Sequence, residues 1–293
     1  EILIGLVGSE MCIRDRSVPS SVGSKRVMTN VGSQRTQGVS GTVKYSPVYH
    51  PEERINWTLS ASFKHQKAKY EDIGNSLDQF NKENLNTSLV RYYDGGSPTA
   101  LWAVRSLGIN PSDGRELFLT KEGTYTFEYD TEDEVVVGNS EPKLEGVLGS
   151  TLYWKGFSFS LYFRYSLGAD VFTEATYNKV ENISLAGLKS NQDKRALHDR
   201  WQKPGDHAKF KGISLTETTP ISSRFVLREN YIKAESISVG YDFESQAVQK
   251  LGIQSLRLQA NTTDLFRISS IKEERGIEYP FARSFSFSLS AMF

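Results

Sequence analysis

The sequence predicts an all-β fold, in which about seven antiparallel strands form part of a transmembrane β-barrel with long extracellular loops. Three observations support this prediction. Apolar and small polar residues alternate over segments of about ten residues, the length that crosses a bilayer as a tilted strand. The connections between these segments are alternately short and long, as in outer-membrane barrels. No apolar run approaches the ~20 residues that a membrane-spanning helix needs.

The clearest alternation is in the last segment, residues 284–293, which reads SFSFSLSAMF. Successive side chains of a strand point to opposite faces, so one face here carries four serines and a methionine. The other face is wholly apolar and carries Phe285, Phe287, Leu289, Ala291 and Phe293. In a barrel the apolar face would meet lipid and the serine face would line the lumen. The terminal strand of a soluble β-sandwich is the alternative interpretation.

Six further segments show the same two-residue period. The predicted strands are 36–45, 55–63, 144–154, 157–167, 230–243 and 255–261. Pro47 and Pro51 are expected to end the first of them, because proline cannot donate to a sheet ladder. Lys155-Gly156 predicts a tight turn between the third and fourth.

The connections predict which end of the strands carries recognition. Those near 47–53, 155–156 and 244–252 are short, and those at 68–143, 169–229 and 264–282 are long. All three long loops fall on one side, which in a barrel is the cell exterior. Four aromatic residues near the short turns would then form a periplasmic girdle: Trp154, Phe157, Tyr241 and Phe243.

Composition excludes several classes of function. The 35 basic and 35 acidic side chains give a formal net charge of zero, which disfavours a nucleic-acid partner. Cys12 is the single cysteine, so the sequence predicts neither disulfides nor a cysteine metal site. The four histidines show no metal-ligand spacing, and no cofactor is predicted.

The first residues are expected to stand outside the fold. Residues 1–16 read EILIGLVGSEMCIRDR and lack the basic region and the cleavage pattern of a signal peptide. They resemble the non-native translation that a sequencing adapter leaves at the end of an assembled fragment. We therefore expect residues 17–293 to be the C-terminal part of a barrel whose signal sequence lies upstream.

Five ordered motifs carry a family resemblance. They are YYDGGSPTALWAVRSLGINPSDGRELF at 92–118, DEVVVGNSEPKLEG at 133–146, DKRALHDRWQKPGD at 193–206, SSRFVLRENYIKAESISVGYDF at 222–243 and TDLFRISSIKEERGIEYPFARSFSFSLSAMF at 263–293. Together they closely resemble the C-terminal barrel region of SusC/RagA-type TonB-dependent outer-membrane transporters. The resemblance implies a barrel of about 22 strands around a plug. It also implies import of oligosaccharides or peptides, a SusD-like surface lipoprotein as partner, and energy from the TonB complex. No segment here corresponds to the plug or the TonB box.

Eight loop residues are candidates for contact with a ligand or with the lipoprotein. The candidates are Tyr92, Tyr93, Asp94, Trp102 and Arg105 in the first long loop, and Arg200, Trp201 and Asp206 in the second. Their aromatic and hydrogen-bonding side chains suit a polar ligand. Because these residues match the family motifs irrespective of substrate, bracing of the loop folds or of the lipoprotein contact is the better explanation of them. An acidic run at 128–134 could hold Ca²⁺, but it lacks EF-hand spacing and is better explained as solvated charge.

Two other functions are weighed against import. A soluble, secreted, glycan-binding β-sandwich would bury the serine faces between two sheets. An outer-membrane hydrolase would use His198 or His207 with a neighbouring aspartate, but adjacent residues rarely face each other productively and no serine elbow accompanies them. The sequence therefore predicts a transporter segment that binds and passes its ligand and is not an enzyme.

Overall fold

The structure is a computed structural model that describes residues 2–10, 14–17, 26–29, 32–189, 191–214, 216–243, 252–272 and 282–293. Its strands are β1 (Ile2–Glu10), β2 (Arg14–Ser17), β3 (Arg26–Thr29), β4 (Ser33–His50), β5 (Ile55–Glu71), β6 (Ala100–Ile109), β7 (Glu116–Leu119), β8 (Tyr125–Thr126), β9 (Glu134–Asn139), β10 (Leu144–Trp154), β11 (Phe157–Phe172), β12 (Val226–Phe243), β13 (Ser255–Thr263), β14 (Arg267–Ser269) and β15 (Phe285–Met292). Its short α-helices are α1 (Asp78–Glu83), α2 (Glu174–Thr176) and α3 (Arg195–His198).

Within these ranges one antiparallel sheet of nine strands dominates the fold. Its order is β1-β4-β5-β10-β11-β12-β13-β15, and β14 pairs with β12 beside β13. Apart from β1 and β14, its members are the seven strands that the sequence predicts, so the all-β prediction is confirmed. The backbone of β1 pairs with β4 from Ile2 opposite Val43 to Glu10 opposite Arg35. This pairing does not test the origin of residues 1–16, which stays a prediction.

Several strands are longer than predicted. The prediction that Pro47 ends the first strand is wrong, because β4 continues to His50. The register with β5 shifts between Tyr45 and Val48, an irregularity of the kind at which a strand tolerates a proline. The turn begins at Pro51, four residues later than the predicted connection at 47–53.

The register places the apolar residues of neighbouring strands in line on one face of the sheet. One such line runs through Trp57, Leu152, Phe159, Val239, Ala260 and Phe287. The next line along the strands, on the opposite face, runs through Thr58, Thr151, Ser160, Ser238, Asn261 and Ser286. The sheet therefore has one apolar face and one hydroxyl-rich face across six strands.

The apolar face is open to its surroundings. The exposed fraction is 36% for Phe159 and 77% for Phe287. On the opposite face Arg164 pairs with Glu235 at 2.6 Å, and Arg257 pairs with Asp242 at 3.5 Å. Exposed apolar rows of this extent would be unfavourable in water and need an apolar environment.

The hydrophobic core of the described residues lies in the long connections. One cluster contains Tyr70, Ile73, Leu77 and Tyr92, with Phe80 and Val90 packed against it. A second cluster contains Val180, Ala196, Phe210 and Phe225, with Phe172, Tyr177 and Ile183 around it. The first and second long connections are thus folded units with cores of their own.

The first long connection contains secondary structure that the sequence analysis does not predict. Strands β6 to β9 form a separate four-stranded sheet in the order β8-β7-β6-β9. Ala100, Leu101, Ala103 and Val104 of β6 are all buried. Because residues on both faces of β6 are covered, the alternation that reveals the main strands is missing here. Among the described residues, no helix is long and apolar enough to cross a membrane.

Gly146 allows β5 and β10 to approach closely. A Cβ at this position would overlap the carbonyl oxygen of Ser62 and would lie 2.7 Å from the Tyr165 hydroxyl. That hydroxyl donates a hydrogen bond of 2.9 Å to the same Ser62 carbonyl, across the space that glycine leaves. The pairing of β5 with β10 therefore depends on the missing side chain.

We expect Gly146→Ala to destabilise the fold by about 1–3 kcal/mol, because backbone must move to make room. Thermal unfolding followed by circular dichroism measures the change. Gly212→Ala is the matched control, since its Cβ would make only ordinary contacts of 3.5 Å or more with Trp201. Equal melting temperatures for the two variants would contradict this account.

Candidate ligand-binding surface of the long loops

The first and second long loops are joined into one body. The indole nitrogen of Trp201 donates to the carbonyl oxygen of Pro111 at 2.9 Å, and the backbone N–H of Gly205 donates to the same oxygen at 2.9 Å. Val104 and Ser222 form a parallel β-bridge. A ligand at this junction would therefore touch residues from both loops.

A buried charge network stabilises the junction between the first and second long loops. The guanidinium of Arg224 lies between two carboxylates, 2.9 Å from Glu116 and 3.1 Å from Glu181. The exposed fractions of the three side chains are 12%, 2% and 0%, in that order. The hydroxyls of Ser222 and Thr219 donate to Glu116 and Glu181 at 2.6 and 3.0 Å.

The network favours the charged form of Arg224. Burial alone would lower the pKa of Arg224, but hydrogen bonds to Glu116 and Glu181 outweigh burial and raise it. The arginine therefore stays protonated, and it compensates two carboxylates that are themselves removed from water.

A second buried pair fixes the first loop internally. Arg91 donates two hydrogen bonds to Glu134, of 3.0 and 2.8 Å, and further bonds to the carbonyl oxygens of Ser88 and Val90. Burial raises the pKa of Glu134, and the charge and hydrogen bonds of Arg91 offset part of that rise. This bidentate geometry holds the start of β9 against the segment before β6.

Two cavities offer polar walls to a ligand. One, of about 240 Å³, lies at the loop junction, where Asp113, Arg115, Trp201 and Lys211 are among its lining residues. The other, of about 460 Å³, lies along the sheet, and the residues that line it on the hydroxyl-rich face include Ser62, Lys64, Glu145 and Arg164. Both offer hydrogen-bond donors and acceptors together with charge.

In the first loop, Tyr92 and Tyr93 have different surroundings. Tyr92 is buried in the first core cluster, where its ring centroid lies 5.4 Å from that of Tyr70. Tyr93 is 43% exposed and packs against the Trp102 ring at 5.4 Å. The Tyr93–Trp102 pair can reach a ligand, whereas Tyr92 supports the loop from inside.

Asp94 and Arg105 are occupied by backbone partners. The Asp94 carboxylate accepts hydrogen bonds from the backbone N–H groups of Ile73 and Gly74, at 2.6 and 2.9 Å. Arg105 donates to the carbonyl oxygen of Thr120. Both side chains brace turns of the first loop, and their role toward a ligand stays a prediction.

In the second loop, Arg200 is buried and donates to the carbonyl oxygens of Val180, Glu181 and Lys211. Asp206 accepts from the backbone N–H groups of Gln202 and Lys203, at 3.1 and 2.9 Å. Trp201 joins the two loops and also lines the junction cavity. Of the three, Trp201 has the surroundings that suit ligand contact.

The charge network at Arg224 was not found from the sequence. Arg224 lies within a motif of the family resemblance, but Glu116 is 108 residues away. Neither residue carries a spacing signal that would pair them. Only the folding of both long loops brings them together.

The other candidate chemistries find little support. The part of the chain that the structure describes contains no cluster of three or more potential metal ligands. Within the acidic run, Asp130 accepts from the N–H of Glu132, Asp133 accepts from that of Lys121, and Glu134 pairs with Arg91. His198 and His207 are both exposed.

A comparison with protein-family models finds no match. The chain is 21% identical over 303 residues to TonB-dependent receptor P39 of Formosa agariphila, covering 86% of this chain and 28% of that protein. It is 24% identical over 279 residues to TonB-dependent receptor P26 of the same organism, covering 88% of this chain and 27% of that protein. The predicted resemblance to SusC/RagA-type TonB-dependent receptors is confirmed.

Solved structures agree on the fold. A structure of the RagAB peptide transporter matches with a TM-score of 0.70 and 18% identity, covering 89% of this chain and 29% of that chain. The RagAB peptide importer in the open-open state matches with a TM-score of 0.73 and 16% identity, covering 100% of this chain and 33% of that chain. The chain thus spans about a third or less of the TonB-dependent receptors and transporter chains that it resembles.

We expect Arg224→Ala to destabilise the joined loops by about 3–5 kcal/mol, because it leaves Glu116 and Glu181 buried without a cation. Limited proteolysis of the second loop measures the effect as faster cleavage. Arg115→Ala is the control, since Arg115 is 62% exposed and pairs with its neighbour Asp113. The control should change stability by no more than about 0.5 kcal/mol. Wild-type protease resistance in Arg224→Ala would contradict the role of the network.

Proposed function

We propose that this chain forms the C-terminal part of the barrel of an outer-membrane, TonB-dependent importer of oligosaccharides or peptides. The observation that carries the proposal is the continuous, exposed apolar row on one face of the sheet and the hydroxyl-rich row on the other. Acyl chains would cover the first face, and the second would line a wet lumen. The named relatives and the RagAB importer structures support the same function.

The long loops would supply recognition on the exterior side. Their junction is held by buried charges and cores, so the walls of the cavity near Trp201 would be in place before a ligand arrives. A preformed wall reduces the entropy lost on binding. Binding and passage need only hydrogen bonds and aromatic contact, and we propose no covalent step.

The partners follow from the same proposal. A SusD-like surface lipoprotein would cover the exterior opening and contact the loops. Energy would come from the TonB complex through parts of the transporter that this chain does not include. Among the eight candidate residues, Tyr93, Trp102 and Trp201 are the ones we propose for contact with ligand or lipoprotein, because they are not enclosed in a loop core.

A soluble β-sandwich is the second candidate, and the exposure of the side chains on both faces of β15 disfavours it. It requires the serine face of the last strand to lie in a dry interior. Ser284, Ser286 and Ser288 are all exposed, and so are Phe285 and Phe287 on the other face. Neither face of β15 is covered as a sandwich strand would be.

Uptake by the intact protein tests the function. Deletion of its gene should abolish import of labelled oligosaccharides or of labelled peptides, and dissipation of the proton-motive force should have the same effect. Restoration by the wild-type gene is the control. Unchanged uptake of both classes of substrate would overturn the importer proposal.

Adjacent residues of β11 test the assignment of the two faces. Leu161→Arg places a cation on the apolar face and is expected to cost about 2–4 kcal/mol in the bilayer. Ser160→Arg makes the same addition on the hydroxyl-rich face, where water would solvate it. The measurement is the amount of heat-modifiable protein in the outer-membrane fraction. It should fall for Leu161→Arg and stay near wild type for Ser160→Arg, and the reverse result would exclude this orientation of the sheet.

A further inference from the structure

The apolar row of β5 changes to a basic row toward the long-loop end of the strand. The segment from Ile55 to Phe63 is nine residues long, the length that crosses the hydrocarbon layer as a tilted strand, and its five odd-numbered residues form the apolar face. The same face continues with His65, Lys67 and Lys69. Lys67 lies four positions beyond Phe63, about 13 Å farther along the strand. These side chains therefore reach the level at which lipid headgroups begin.

Neighbouring strands add cations at the same level. In the register of β4 with β5, Arg35 lies opposite Lys69, where it pairs with Glu71 at 3.8 Å. His65 contacts the carbonyl oxygen of Lys143 through Nδ1 at 2.7 Å, which places Lys143 beside the basic row. A cavity of about 510 Å³ opens here, and its cationic lining residues are Lys67, Lys69, Lys143 and Arg228.

The cavity has an excess of positive charge. Its carboxylates are Asp170, which pairs with Arg228 at 3.1 Å, and Glu141. Among the described residues, Lys67, Lys69 and Lys143 have no salt-bridge partner, and all three are exposed. Unpaired lysines beside a lipid-facing surface attract anions, because an ammonium group binds phosphate as a strong point charge.

We propose that this cavity binds the phosphate groups of anionic lipids in the outer leaflet. The inference rests on the proposed function, since it requires the apolar face of β5 to meet lipid. Acyl chains would lie along the apolar row below Phe63, and the headgroup phosphate would sit among Lys67, Lys69 and Lys143. Basic pockets at membrane level are suited to such headgroups.

The test uses the intact transporter in detergent and three ligand probes: diphosphoryl lipid A, phosphatidylcholine and inorganic phosphate. Native mass spectrometry measures the bound lipid. The wild type should retain lipid A, and the triple variant Lys67→Gln/Lys69→Gln/Lys143→Gln should bind it at least about tenfold more weakly, because each lysine near a membrane surface contributes several-fold in affinity. Phosphatidylcholine, whose headgroup is neutral overall, should bind both proteins equally.

The matched control removes the same charge from the loops, through Lys82→Gln/Lys121→Gln/Lys203→Gln, and should retain lipid A as the wild type does. Displacement of lipid A by millimolar inorganic phosphate would identify a site for free phosphate and overturn the lipid assignment. Equal lipid A binding by the triple variant and the wild type would overturn the inference altogether.

Heat-modifiable migration from the outer-membrane fraction is measured on the same samples. Its loss in the wild type would count against the importer proposal itself, whereas normal migration with unchanged lipid binding would count only against this site.

Discussion

The register between neighbouring strands is the constraint on which the rest of the structure depends. Side chains alternate with a period of two, so a slip of one residue would move every apolar residue of a strand to the other face. Six strands share a continuous register through their central rows, and the result is a sheet with two chemically distinct faces. Gly146 shows how closely the backbones must approach to hold that register, because no side chain fits between it and Ser62. The apolar face, the hydroxyl-rich face and the end of the strands at which the long loops lie all follow from this pairing.

The main strands could be predicted from the sequence because each carries the evidence for its own conformation. Alternation in 55–63 or 284–293 is a local signal, and it identified every one of the seven predicted strands. Strand β6 gives no such signal, since residues on both of its faces are buried. Pro47 misled the prediction because a shift in register can accommodate a proline that a regular ladder would not. Local pattern therefore located the strands whose two faces differ chemically and missed a strand that is covered on both faces.

The candidate site was predicted less well, for a related reason. Tyr92 and Arg200 belong to recognisable motifs, but the sequence does not say whether such residues contact a ligand or fill a loop core. The structure places both inside the loops. Arg224 owes its importance to Glu116 and Glu181, which are distant in sequence and meet only when the loops fold together. The loops are thus organised by long-range ionic contacts and small cores, whereas the sheet is organised by pairing between neighbouring strands.

Strand β5 connects the two kinds of organisation, because three environments follow one another along it. Its apolar middle suits hydrocarbon, His65 to Lys69 suit a charged interface, and Tyr70 enters the first loop core. The strand is longer than a bilayer requires, and the added residues carry it through the interface into the loop body. A long loop anchored in this way has its position fixed by the sheet. The first and second long loops can then hold a fixed arrangement even though each is more than fifty residues long by the observed strand bounds.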